Sequence, residues 1–211
     1  AGACGGEITF RAQMEALFNT AFASALVGDP PSVAAATDFF GSDLGQRVLG
    51  LELAARRTLM DDEAEAAAVL AYGDLARDNP DRQALIDRFV LANDLIESNV
   101  MGALNANLAF LRGVAEAGGE AFDLSEADML AQVWGSEPDT RAEMVGWLFP
   151  FLTLAYQPLS DADLQDYVAF SETAAGRRVN AAMFQAFDVL FNKVSSDLGR
   201  VFGRSLQGDD I

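Results

Sequence analysis

From Ala174 to Leu206 apolar side chains recur at three- and four-residue spacing, through Val179, Met183, Phe187, Leu190, Val194, Leu198, Val201 and Phe202. That is the period of a helix, and a helix of this span is about 50 Å long. Its apolar face needs other elements to cover it, because amphipathic helices draw most of their stability from packing rather than propensity. The rest of the chain offers more of the same. Residues 7–27 place Met14, Leu17, Phe18, Ala21, Phe22, Ala25 and Leu26 on one face, and residues 43–59 do so with Leu44, Val48, Leu51, Ala55 and Leu59. The pattern predicts an all-α fold: a multi-helix bundle of about nine helices in a single domain, 1–211, with residues 1–6 and 207–211 frayed.

Punctuation divides the remainder. Gly28-Asp29-Pro30-Pro31 stops the first helix, and a short one follows over 32–40. Asp62 with Glu65 reads as a capping pair opening a helix over 62–77, and Asn79-Pro80 opens the next. The pattern then runs unbroken to Ala117. A straight helix of that span would be about 57 Å long. A compact domain of this size is only about 43 Å across, so a bend is expected at residues 99–102. Ser125 with Asp128 and Thr140 with Glu143 open two further helices. Residues 144–156 are apolar nearly all round, with Pro150 expected to kink them.

One local pattern occurs twice. Phe170 follows Phe39 by 131 residues, and at the same offset Ser42 meets Thr173, Gly45 meets Gly176, Arg47 meets Arg178 and Val48 meets Val179. Each copy puts a capping hydroxyl before a helix and a glycine in its first turn. Glycine there weakens the helix, so close approach of another backbone or ring is expected at both. Leu17-Phe18 and Leu148-Phe149 extend the echo upstream. This predicts an internal helix-turn-helix duplication, with pseudo-repeats at about 14–59 and 144–190.

The segment around the second copy, with Leu159, Ser160, Asp163 and Leu164 followed by Phe170, Thr173, Gly176 and Arg177, resembles the bacterial family called domain of unknown function 2059. Ser171 and Thr173 depart from that family's pattern. The resemblance covers about 25 residues. It implies a helical, usually exported protein and transfers no catalytic residue.

Charge and composition exclude several classes. With 14 basic and 32 acidic residues the chain carries −18, which opposes nucleic acid and anionic lipid surfaces. There is no histidine, so Ser-His-Asp and Cys-His catalysis and His-ligated metals are ruled out. Cys4 is the single cysteine and forms no intrachain disulfide. The string Ala1-Gly2-Ala3 before Cys4 matches the small residues that precede signal cleavage, which makes Cys4 a lipidation candidate, and together with the family resemblance the periplasm is the expected location. The competing reading of Cys4 is a free thiol in a frayed terminus.

Two functional expectations follow. The first is a non-enzymatic binding or protein-interaction module of the cell envelope, with an unknown protein or small apolar ligand as partner, no cofactor and no metal. Arg47 and Arg178, cations in an acidic chain, mark its polar rim. Asn93 and Asn107, on or beside an apolar helix face, are either satisfied core amides or polar handles in a pocket. The second is a carboxylate-dependent periplasmic hydrolase using Asp161, Asp163 and Asp166.

Overall fold

The computed structural model of the protein describes residues 2–118 and 124–206, with side chains from Phe10 onward. Those residues form ten α-helices and no strand: α1 (Gly2–Ala25), α2 (Pro30–Gly41), α3 (Asp43–Thr58), α4 (Asp62–Asp78), α5 (Pro80–Ala92), α6 (Leu95–Gly118), α7 (Glu126–Gly135), α8 (Glu137–Tyr156), α9 (Asp161–Ser171) and α10 (Ala174–Leu206). None of the helices among the described residues is long and apolar enough to cross a membrane.

Most helices start where a side chain satisfies an orphan backbone N–H group. Asp29 accepts from the Ser32 N–H at 3.2 Å and Asn79 from that of Arg82 at 3.1 Å, each followed by proline at the first helical position. Ser125 and Asp128 form the reciprocal capping box at α7. Three starts differ from expectation. The cap of α4 is Asp61, whose carboxylate accepts from the Ala64 N–H at 3.0 Å, so Asp62 is already helical. Thr140 lies inside α8, its N–H bonded to the Ser136 carbonyl at 3.0 Å. The first helix begins at Gly2 rather than Glu7. Residue 1, residues 207–211 and the side chain of Cys4 lie outside the described residues.

The long helix predicted over 80–117 is two helices, and this accounts for ten where about nine were expected. The break is at Asn93 and Asp94, not at 99–102. Both the backbone N–H and the side-chain Nδ2 of Asn93 donate to the Phe89 carbonyl, at 3.2 and 3.0 Å. That carbonyl closes the last turn of α5. Asp94 then adopts φ +50°, a left-handed conformation that Asp and Asn tolerate better than other side chains. Asn180 donates to the Asn93 carbonyl at 2.6 Å and ties down the turn.

The chain groups into two compact units. One comprises Ala1–Val27, Ser98–Thr140 and Ala182–Ile211. Within it α6 and α10 pack backbone on backbone. A Cβ on Gly113 would lie 2.3 Å from the Ser196 carbonyl oxygen, and one on Gly199 would lie 2.2 Å from that of Phe110. Ala182 and Ala186 of α10 are fully buried. The covered side of α10 is therefore its small-residue side. The stripe expected to face inward is partly exposed, with Leu198 and Phe202 each about half accessible. Phe187 packs on Phe18 of α1, ring centroids 4.8 Å apart.

The other unit comprises Gly28–Glu97 and Arg141–Ala181. Its core joins Val48 and Ala55 of α3, Ile86 and Phe89 of α5, Phe151, Leu152 and Tyr156 of α8, and Leu164, Tyr167 and Val168 of α9. Arg82 of α5 closes the end of α8. It donates to the carbonyls of Tyr156 at 2.5 Å and Leu159 at 3.0 Å and pairs with Asp161. Its side chain is only 14 % exposed, so replacement strands carbonyls that water reaches poorly. Arg82→Ala is expected to cost about 2–3 kcal/mol of stability, the range for buried bonds to a charged donor. Equilibrium urea denaturation measures it, and a loss below about 0.5 kcal/mol would show that α8 ends without this clamp.

Candidate functional site

The two look-alike turns lie in this second unit and meet each other. Ser42 Oγ donates to the Phe39 carbonyl at 2.6 Å and accepts from the Gly45 N–H at 3.1 Å. Thr173 Oγ1 repeats both bonds, to Phe170 at 2.7 Å and from Gly176 at 2.9 Å. A Cβ on Gly45 would fall 2.1 Å from the Phe39 carbonyl oxygen, and one on Gly176 2.2 Å from that of Phe170. The expected close approach is thus to the end of the preceding helix. Phe39 and Phe170 stack face to face, centroids 4.0 Å apart and planes within 5°.

The two arginines of the pattern do not form one rim. Arg47 pairs with Asp163 near the start of α9, and Arg178 approaches Asp29 at the start of α2, at 3.8 Å. Each cation from one turn thus reaches the helix preceding the other turn. The Ser160 hydroxyl and then Arg47 hold Asp163 below the usual carboxylate range, and Asp29 is lowered first by its bonds to Ser32. Asn93 is buried and spends its amide on the α5 end, as a satisfied core amide does. Asn107 is exposed, so the apolar face of α6 does not include it. Of the three aspartates considered for hydrolysis, Asp161 and Asp163 are each tied to an arginine and Asp166 is exposed. Among the described residues no cluster of three or more His, Cys, Asp or Glu side chains could hold a metal ion.

Two features of this unit were not anticipated. The first is a half-buried carboxylate at the edge of the core. Tyr156 and Tyr167 both donate to Glu52 Oε1, at 2.7 and 3.2 Å. Tyr156 is wholly buried and Tyr167 nearly so. Burial pushes the Glu52 carboxyl above the ordinary glutamate range, against the opposing pull of the two hydroxyls and Arg56. Burial also drives both phenols well above the ordinary tyrosine value. The Arg56 guanidinium lies over the Phe151 ring at 4.8 Å. The sequence does carry a signal for this group: Glu52 falls four residues after Val48, in phase with the apolar stripe of α3.

The second is an open cleft of about 600 Å³ lined mainly by α4 and α8. Ala64, Ala67, Ala68, Ala71 and Leu75 line it from α4, Thr153 and Leu154 from α8, and Gln157 from the turn after α8. These α4 positions are spaced along one helix face. Methyl side chains cannot fill the gap to α8, and Ala68 is the only buried residue of α4. The Thr153 hydroxyl is enclosed and has no protein hydrogen-bond partner. A buried hydroxyl left unpaired costs about 1–3 kcal/mol. Thr58, Asp74, Asp78 and Arg82 complete the lining. Comparison with protein-family models, with curated proteins and with solved structures gave no match.

Proposed function

We propose that the protein is a non-enzymatic binding module whose α4–α8 cleft seats a small apolar ligand. The observation that carries this reading is the cleft itself, an alanine-faced space beside the ends of two helices. Its volume lies within the usual range of ligand sites, and so does its pairing of apolar walls with a few polar groups. The resemblance to domain of unknown function 2059 and the string before Cys4 support placing this activity in the cell envelope, with Cys4 as the lipid-bearing residue. The 131-residue offset supports descent from a duplicated helix-turn-helix, since the caps Asp29 and Ser160 and the caps Ser42 and Thr173 keep it.

Filling the cleft tests the reading. Ala71 is exposed on the cleft wall, so Ala71→Phe is expected to leave stability within about 0.5 kcal/mol, as surface substitutions usually do. It is expected to abolish the fluorescence rise of a neutral naphthylamine probe titrated against the protein. Undiminished probe binding by this variant would place the apolar seat elsewhere.

A further inference from the structure

We propose that the cleft selects a cationic amphiphile, with the apolar body on the alanine face and an ammonium or guanidinium group at the end marked by Asp74 and Asp78. This rests on the reading of the cleft as a ligand seat and adds the charge of what it takes.

Three observations converge on that end. Asp74 and Asp78 both line the cleft from the last two turns of α4. A helix C-terminus carries partial negative charge from its unpaired carbonyls, so these carboxylates add to a field that already favours cations. The last turn of α8 reaches the same cleft through Thr153 and Leu154, a second helix end whose carbonyls already draw a cation, Arg82.

The protein itself answers this field with guanidinium groups. Arg82 donates to the Tyr156 and Leu159 carbonyls where α8 ends. Arg77 spans Asp74 at 2.7 Å and Asp78 at 3.0 Å. The two arginines differ in availability. Arg82 is largely enclosed and also held by Asp161. The Arg77 side chain is 68 % exposed, and the two aspartates are 61 % and 64 % exposed. Exposed ion pairs of this kind contribute little, so an incoming cation shares or displaces Arg77 at small cost. An anionic head would instead meet two carboxylates, the α4 C-terminus and a net charge of −18, while Arg82, the cation in the lining, is already held by the α8 end and Asp161.

Titration calorimetry with three ligands that share a ten-carbon chain, each below its micelle or solubility limit, tests this: decyltrimethylammonium, decanol and decanoate. The expected result is saturable one-to-one binding of decyltrimethylammonium at least tenfold tighter than decanol, with decanoate weakest. Combining Asp74→Asn with Asp78→Asn is expected to remove the preference for the cation and keep decanol binding. Ala71→Phe is expected to abolish binding of all three. Equal affinity for cation and alcohol, or tighter decanoate, overturns the charge selection and leaves the apolar seat standing. Cation binding that survives Ala71→Phe overturns it too, as diffuse attraction to an acidic surface. Absence of saturable binding by every ligand overturns both the selection and the seat.

Discussion

Alanine at position 176 is expected to cost about 3 kcal/mol of stability, and alanine at position 45 a similar amount. The added methyl carbon would sit 2.2 Å from the Phe170 carbonyl oxygen in one case and 2.1 Å from that of Phe39 in the other. Both neighbours are backbone. They are fixed at the ends of α9 and α2 by the same hydroxyls that cap α10 and α3. Neither can swing aside as a side chain would, so the corner must open. Opening it separates Phe39 from Phe170, whose stacked rings lie where the two corners meet. Gly50 supplies the control. It sits within α3 with nothing inside 4 Å of its would-be Cβ. Alanine there is expected to stabilise the protein by about 0.5–1 kcal/mol, the ordinary helical gain over glycine. Urea denaturation of the three variants measures opposite signs for the same chemical change. A neutral Gly176→Ala would mean that the corners are not held by their glycines.

Glu52→Ala is expected to cost about 3 kcal/mol, because it leaves the Tyr156 and Tyr167 hydroxyls enclosed without their common acceptor. Glu52→Gln is expected to behave in the opposite way at neutral pH. The amide oxygen still accepts both hydroxyls, and no charge is buried. Folding raises the Glu52 pKa, so its charged form is the one that folding disfavours. Wild-type stability from this group is fully present below the ordinary glutamate range and is lost as pH rises through the raised value. The wild type and Glu52→Gln should therefore melt alike near pH 4 and diverge toward pH 7.5, with the glutamine variant higher. The lowered carboxylates Asp29, Glu97, Glu126, Asp163, Glu172 and Asp197 act in the other direction, losing stability as pH falls. They are common to both proteins and cancel in the difference. A gap of constant size across this pH range would show that the Glu52 carboxyl titrates as it does in water.

The helix ends and the paired turns could be read from the chain because their causes are local. A hydroxyl, a proline and a glycine at fixed offsets satisfy or sterically limit backbone groups within one turn, as at Ser42, Pro30 and Gly45. The Asn93–Asp94 break escaped notice because Phe89, Asn93, Ile96 and Val100 stay in helical phase across it. Only the third-party bond from Asn180, far along the chain, shows that the turn is held. Choosing the covered face of α10 failed for a related reason. Counting apolar positions favours large side chains, whereas Gly199 and Gly203 are covered because they let α6 come close. The cleft was equally hidden. The alanines of α4 look like an ordinary inward face, and their failure to reach α8 depends on the spacing of two helices.

The claim that the α4–α8 cleft is where this protein binds is tested most directly by alanine methyl NMR during titration with decanol. We expect saturable shifts at Ala64, Ala67, Ala68 and Ala71, with Ala55 of the core and Ala182 of α10 unmoved. Shifts centred on α10, or none at the α4 methyls at saturation, would contradict the account.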